Sequence, residues 1–181
     1  MTIESEAYSK HMNLKLAADE LGIKWQDLYC RLKNQGVNVV GDKLRYGSDR
    51  DKLSSKAEAM FKEYVPSAIS MNEIKWQRKY DFEVSGHKID VKCSLKRRLS
   101  KKHDSLSWAF SFKKQTLICD FVCCFCLDDN KDVEQVLLVP SEFFRGLQTV
   151  SVSCAGNSKW MDYSVSLGDL EDFFLSLNNN T

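Results

Sequence analysis

Two nearly continuous apolar runs, residues 118–127 (ICDFVCCFCL) and 134–140 (EQVLLVP), most constrain what this chain can become. A strand with one wet face alternates apolar and polar residues, so an unbroken apolar run of strand length belongs to a strand covered on both faces. The chain must therefore supply layers on either side of a central sheet. Upstream, residues 79–84 (KYDFEV) and 87–93 (HKIDVKC) alternate with period 2 and are joined at Ser85-Gly86, a two-residue hairpin signal. Residues 107–112 (SWAFSF) alternate again, and 113–117 read as a short helix or turn. Residues 141–147 (SEFFRGL) and 168–177 (GDLEDFFLSL) carry helical patterns, the first with a capping serine at Ser141. The order helix, hairpin, strand, strand, helix predicts an α/β domain with a central mixed β-sheet and flanking helices.

That domain does not use the whole chain. With 181 residues and 43% hydrophobic content there is room for one good core plus a small appended module. Near the N-terminus, Leu14, Ala17, Ala18 and Leu21 are spaced for one helical face, Gly22-Ile23 interrupts, and Trp25, Leu28, Tyr29 and Leu32 resume the stripe up to Gly36. This is helix-turn-helix spacing. Residues 37–47 (VNVVGDKLRYG) follow as a hairpin like the wing of a winged helix. Two uses fit such a module, contact with DNA or a helical hairpin for packing or dimerisation, and DNA contact is favoured. Residues 48–56 (SDRDKLSSK) are polar, without apolar periodicity, and read as a linker. The expected division is a helix-turn-helix module over 1–50 and a second, larger domain over 53–181. The second begins with a helix capped by Ser54 or Ser55, buried through Ala57, Met60, Phe61 and Tyr64, and stopped by Pro66. Glu58 sits on the flank of that stripe.

The chain has no run approaching the roughly 18 successive apolar residues of a membrane span, so no membrane is expected. Seven cysteines, four of them in one apolar strand, make a poor disulfide framework and point to a reducing, cytoplasmic compartment. Strand parity also argues against zinc there, because Cys123 faces away from Cys124 and Cys126. The formal net charge of +1 conceals a strong asymmetry: residues 85–114 carry nine Lys/Arg against two Asp, and residues 115–181 carry three against ten Asp/Glu. Segregation of this kind gives one face an attraction for a polyanion. Lys96, Arg97, Arg98, Lys101 and Lys102 follow directly on the strand ending at Cys93 and are expected to grip a DNA backbone.

The chemistry concentrates in the hairpin. Alternation puts Asp90 and Lys92 side by side on one strand face, and the turn at Ser85-Gly86 sets Asp81 opposite Asp90. Two carboxylates about 4 Å apart at an effective dielectric of about 20 repel by on the order of 4 kcal/mol. A structural role rarely offsets that cost, whereas a divalent cation does. Oxygen-only donors favour Mg²⁺ or Mn²⁺ over zinc, and Lys92 would add positive charge beside a scissile phosphate. In the alternative, Lys88 and Lys92 merely neutralise Asp81 and Asp90 on an ordinary exposed strand.

The ordered pattern of residues 54–140, namely AEAMFKEYV, YDFEVSGHKIDVKCS, WAFSFKK, DFVCCFCLD and VLLVP, resembles the PD-(D/E)XK nuclease superfamily with its restriction-endonuclease-like fold. Two features depart from it: no proline precedes Asp81, and Asp90 stands where glutamate is commoner. The resemblance implies that Glu58 joins Asp81, Asp90 and Lys92 as catalytic residues, with the three carboxylates as metal ligands. It further implies that Lys113, Lys114 and Gln115, after the third strand, lie beside the active site and hold the phosphate backbone. The expected function is divalent-metal-dependent hydrolysis of DNA phosphodiester bonds, by a homodimer or within a larger nuclease complex. The rival is a non-catalytic DNA-binding or regulatory protein whose second domain dimerises.

Overall fold

The computed structural model describes residues 2–39, 47–71, 80–100, 103–112 and 118–178. Its contacts divide the chain into two compact units, the break falling between Lys52 and Leu53.

The first unit holds three helices, α1 (Ile3–His11), α2 (Leu14–Glu20) and α3 (Trp25–Asn34). Thr2 starts α1 through a reciprocal capping box with Ser5, and the Asn13 side chain starts α2 by accepting the N–H groups of Lys15 and Leu16, both at 3.0 Å. Gly22 has φ +66°, a left-handed conformation that turns the chain from α2 toward α3. Ala7, Tyr8, Ala17, Ala18, Leu28 and Leu32 form the core. Two corrections to the sequence reading follow. Helix α1 was not expected, because the face it buries is Ser5, Ala7 and Tyr8, too small and polar to register as an apolar stripe. Trp25 and Tyr29 do not join the buried stripe: Leu28 and Leu32 suffice against the alanines of α2, and the two aromatics remain 49% and 40% exposed. Most of the expected wing, residues 40–46, lies outside the described residues.

The second unit is layered. Helix α4 (Asp49–Tyr64) begins earlier than expected, and the segment read as a linker is its first turns. Ser48 and Asp51 make a reciprocal cap, with Ser48 Oγ donating to the Asp51 carboxylate at 2.7 Å and Asp51 N–H donating back at 3.2 Å. Capping residues are polar and exposed, which is why the stretch mimics a linker.

A six-stranded sheet follows, in the order β1 (Ile69–Ser70), β2 (Phe82–Val84), β3 (His87–Leu95), β6 (Phe121–Leu127), β7 (Val133–Pro140), β9 (Ser164–Val165). It is mixed: β3 and β6 run parallel and the other neighbours antiparallel. Ser85 and Gly86 both have positive φ, 51° and 79°, as a tight two-residue turn requires. The resulting register puts Phe82 opposite Ile89, Glu83 opposite Lys88 and Val84 opposite His87, as the sequence implies.

Both faces of this sheet are covered. On one, Ile89, Val91, Cys123, Phe125 and Leu138 pack with Phe61 of α4 and with Leu170 and Phe174 of α5 (Leu170–Asn178). On the other, Val122, Cys124, Cys126, Leu137 and Val139 meet Trp108, Phe110, Val150 and Val152. The latter belong to a second, three-stranded sheet of β4 (Arg97–Ser100), β5 (His103–Ser111) and β8 (Thr149–Ser153). Here the structure departs from the single sheet expected from sequence. The strand containing SWAFSF leaves the central sheet, pairs with β8 and becomes the covering layer. The helix expected over 141–147 is one turn of 3-10 helix, Ser141–Phe144, followed by Gly146 at φ +80°; Ser141 does not cap it, its hydroxyl donating instead to the Cys119 carbonyl.

All seven cysteines are free thiols. As parity predicts, Cys123 lies in the helix-side core, and Cys124 and Cys126 lie in the sheet-side core. Burial raises their thiols far above the ordinary value, which keeps them protonated and chemically inert. No helix among the described residues is long and apolar enough to cross a membrane.

Trp108 locks the two sheets together, because its buried indole N–H donates to the Leu127 carbonyl at 2.9 Å. Trp108→Phe should lower stability by about 1–3 kcal/mol in urea unfolding, since it opens a void and removes a buried hydrogen bond, while the Leu127 carbonyl keeps the Lys96 N–H at 3.1 Å. Near-wild-type stability would show that the second sheet is not fastened there.

Candidate active site

Period 2 along β3 sends Ile89 and Val91 to the helix side and Asp90, Lys92 and Ser94 to the side covered by the second sheet. A strand covered on both faces has no solvent face to offer charged residues. Asp90 is consequently only 6% exposed, and the Lys92 side chain 22%. The two form an ion pair through Asp90 Oδ2 and Lys92 Nζ. The ammonium is the partner of that buried oxygen, by charge and by hydrogen bond together.

Asp81 is held differently. It stands immediately before β2, where its N–H donates to the Ile89 carbonyl at 2.9 Å and its own carbonyl accepts the Met71 N–H at 2.9 Å. Its carboxylate Oδ2 accepts the Val91 N–H at 2.8 Å, taking the place a backbone carbonyl would occupy had the ladder continued. Three backbone bonds thus fix a carboxylate beside Asp90.

The electrostatics record how close these groups are. Burial first, then the Asp90 charge and, more weakly, Glu58, push the Asp81 carboxyl up to about 7, against a partial offset from the Val91 N–H and Lys92. Burial also raises Asp90, with the Lys92 ammonium pulling the other way. Burial alone would lower Lys92, but Asp90 and then Asp81 outweigh it, so the ammonium is held charged. Glu58, half-buried on α4 beside Ala57, reaches the group through its effect on Asp81. The four residues singled out from sequence therefore act on one another.

Sequence reasoning missed the wall of the site. Cys119 and Cys124 both sense Asp90 and Lys92, and burial pushes the Cys119 thiol up to about 12. Ser94, four residues beyond Asp90 on the same face, accepts the Ala109 N–H of β5 at 2.8 Å and so pins the second sheet next to Lys92. Its parity with Asp90 was the available signal. His87 lies outside this group, 4.0 Å from the Asp120 carboxylate and edge-on to Phe121.

Part of the basic segment forms a strand. Arg97 and Arg98 are exposed on β4, opposite Ser107 and Leu106 of β5. Lys96 pairs with Glu134 of β7 and lies 5.7 Å from the Trp108 ring centroid. The partner is remote in sequence, so no local pattern announces it. Lys101, Lys102, Lys113, Lys114 and Gln115 lie outside the described residues.

Among the described residues, no group of three or more His, Cys, Asp or Glu is arranged to hold a metal. Mg²⁺ does not need such a cage, since it commonly keeps several waters and takes one or two carboxylates. Asp81 and Asp90 are hard oxygen donors of that kind, held close together on the hairpin, with Asp90 Oδ2 facing the Lys92 ammonium. This donor set fits a hard divalent cation. Compared with known proteins, the chain matches no family model and no curated sequence.

Asp81 has a folded-state pKa near 7 against an ordinary 3.8, so between those values the folded protein binds the extra proton. Stability contributed by this proton is present in mild acid and lost as pH rises through 7, by up to about 4 kcal/mol. Asp81→Asn keeps an acceptor for the Val91 N–H without the charge. In chelator, the variant should unfold at higher temperature than wild type at pH 8, with the gap closing toward pH 4. Equal melting temperatures at pH 8 would mean that Asp81 ionises without strain.

Proposed function

We propose that the second unit is a divalent-metal-dependent nuclease of restriction-endonuclease-like architecture acting on DNA. The observation that carries this reading is a buried carboxylate, Asp90, paired with an ammonium on its own strand and close enough to a second carboxylate, Asp81, to raise it. A core strand gains nothing from that grouping, because two close carboxylates destabilise each other and an apolar pair would pack better. Phosphodiester cleavage uses all of it. Asp90 and Asp81 would hold the cation through oxygen, with Glu58 as a third acidic side chain acting through Asp81. When bound, the cation supplies a polarising charge for the phosphate and a water of lowered pKa. Lys92 offers an ammonium to the charge that develops on the phosphate oxygens, and the buried thiols of Cys119 and Cys124 keep the local dielectric low.

A mixed sheet with a helix on one face and the acidic pair on the hairpin strands supports the fold assignment. The third strand of that architecture is here spent on the covering sheet.

DNA is preferred as substrate because of the first unit. Helix α3 exposes Trp25 and Tyr29 four residues apart, and Lys33 Nζ lies 5.8 Å from the Tyr29 ring centroid. An exposed stripe of rings and ammonium suits a polyanion with flat bases and sugars. The same stripe favours the second reading, a DNA-binding regulator that does not cleave.

Supercoiled DNA incubated with pure protein and Mg²⁺ or Mn²⁺ separates the two readings. Asp90→Asn and Lys92→Ala should each lower cleavage by at least about 100-fold with DNA binding retained. Wild-type rates in either variant would remove the assignment. The double variant Trp25→Ala/Tyr29→Ala should weaken DNA binding by about tenfold or more in an anisotropy titration, with the melting temperature unchanged. Undiminished affinity would take α3 out of the interface.

A further inference from the structure

We infer that Lys92 is the resident counter-cation of the acidic pair, and that a divalent ion is admitted only by displacing its ammonium from Asp90. The inference rests on the metal-dependent reading above and assigns that site a built-in competitor.

Three observations lead to it. First, the ammonium occupies the oxygen that a metal would need. Asp81 Oδ2 is engaged by the Val91 N–H, whereas Asp90 Oδ2 has the Lys92 ammonium against it. Second, the ammonium is held there by one ion pair from a flexible side chain. A lysine on a four-carbon stem with three rotatable donors can leave such a contact, where a bidentate arginine would hold it. Third, the charges favour exchange. Asp81 and Asp90 together outnumber the one ammonium, and both carboxylates act on Lys92. A dication neutralises both, and two cations cannot share one buried oxygen without strong repulsion.

The Lys92 side chain is 22% exposed while Asp90 is nearly sealed, so the lysine is the member of the pair that reaches solvent. Its neighbour on β6 in the parallel register is Cys124, a small side chain. Displacement would turn Lys92 from a group that neutralises Asp90 into a free positive charge beside the bound ion, where a phosphate would arrive. Occupation of the site and readiness of the lysine would then be one event.

The test is Mn²⁺ binding by calorimetry on the full chain without DNA, comparing wild type with Lys92→Met and Asp90→Asn. If the ammonium competes, Lys92→Met binds Mn²⁺ at least about tenfold more tightly than wild type, and Asp90→Asn at least about tenfold more weakly. A wild-type measurement guards against a poorly folded variant: acetylation of Lys92, followed by mass spectrometry, should speed up on saturation with Mg²⁺ while that of Lys10 stays constant. Equal or weaker Mn²⁺ affinity in Lys92→Met, or Lys92 reactivity unmoved by saturating Mg²⁺, overturns the competition and leaves the metal-dependent reading standing. No binding of Mn²⁺ by wild type or Lys92→Met overturns both.

Discussion

Strand β3 is covered on both faces, and much of this molecule follows from that. Its odd residues enter the core under α4 and α5, and its even residues meet the second sheet. Alternation therefore leaves Asp90 and Ser94 buried and the Lys92 side chain only 22% exposed, so each finds its partner inside the protein. Ser94 succeeds by accepting a backbone N–H from β5, a neutral bond that also fastens the layers. Asp90 finds the charged Lys92 ammonium. The contrast between two polar residues four positions apart on one face separates a structural polar group from one kept for another purpose.

Asp81 joins both roles in one side chain. Its carboxylate replaces a missing ladder carbonyl for Val91, so the hairpin end is closed by an anion rather than by backbone. A serine or asparagine would close it at lower electrostatic cost, because neither would oppose Asp90 or Glu58. The same bond fixes the carboxylate on a rigid strand end, where small shifts of a loop cannot move it. Burial of a carboxylate fixed in this way, and after it the charge of Asp90, raises the Asp81 carboxyl.

What was legible in the sequence was local. The Ser85-Gly86 turn needs positive φ at two successive residues, so it fixed the register of β2 on β3 and with it the level of Asp81 and Asp90. The unbroken runs of β6 and β7 announced two covered faces, and α5 followed its periodicity. What was not legible depends on distant partners. Nothing near SWAFSF indicates that it pairs with residues 149–153 instead of the central sheet, since alternation looks alike in either place. Lys96 looks like its basic neighbours until Glu134 of β7 is folded against it. At the start of α4, Ser48 and Asp51 read as linker because a cap is made of the same residues as a loop.

The cysteine-rich strand gains a reason from this arrangement. Parallel pairing sets Val122 beside Asp90, Cys124 beside Lys92 and Cys126 beside Ser94. Leucine or phenylalanine at 124 would fill the space around the lysine stem, and serine would bring a hydroxyl to solvate its ammonium. Cysteine does neither: it is small, packs as a hydrophobe and stays protonated when buried. A dry, narrow wall of this sort strengthens the attraction between Lys92 and Asp90 and the repulsion between Asp90 and Asp81 by the same lowering of dielectric. The site is thus sharpened by the residues that looked least chemical in context, and the thiols contribute through what they exclude.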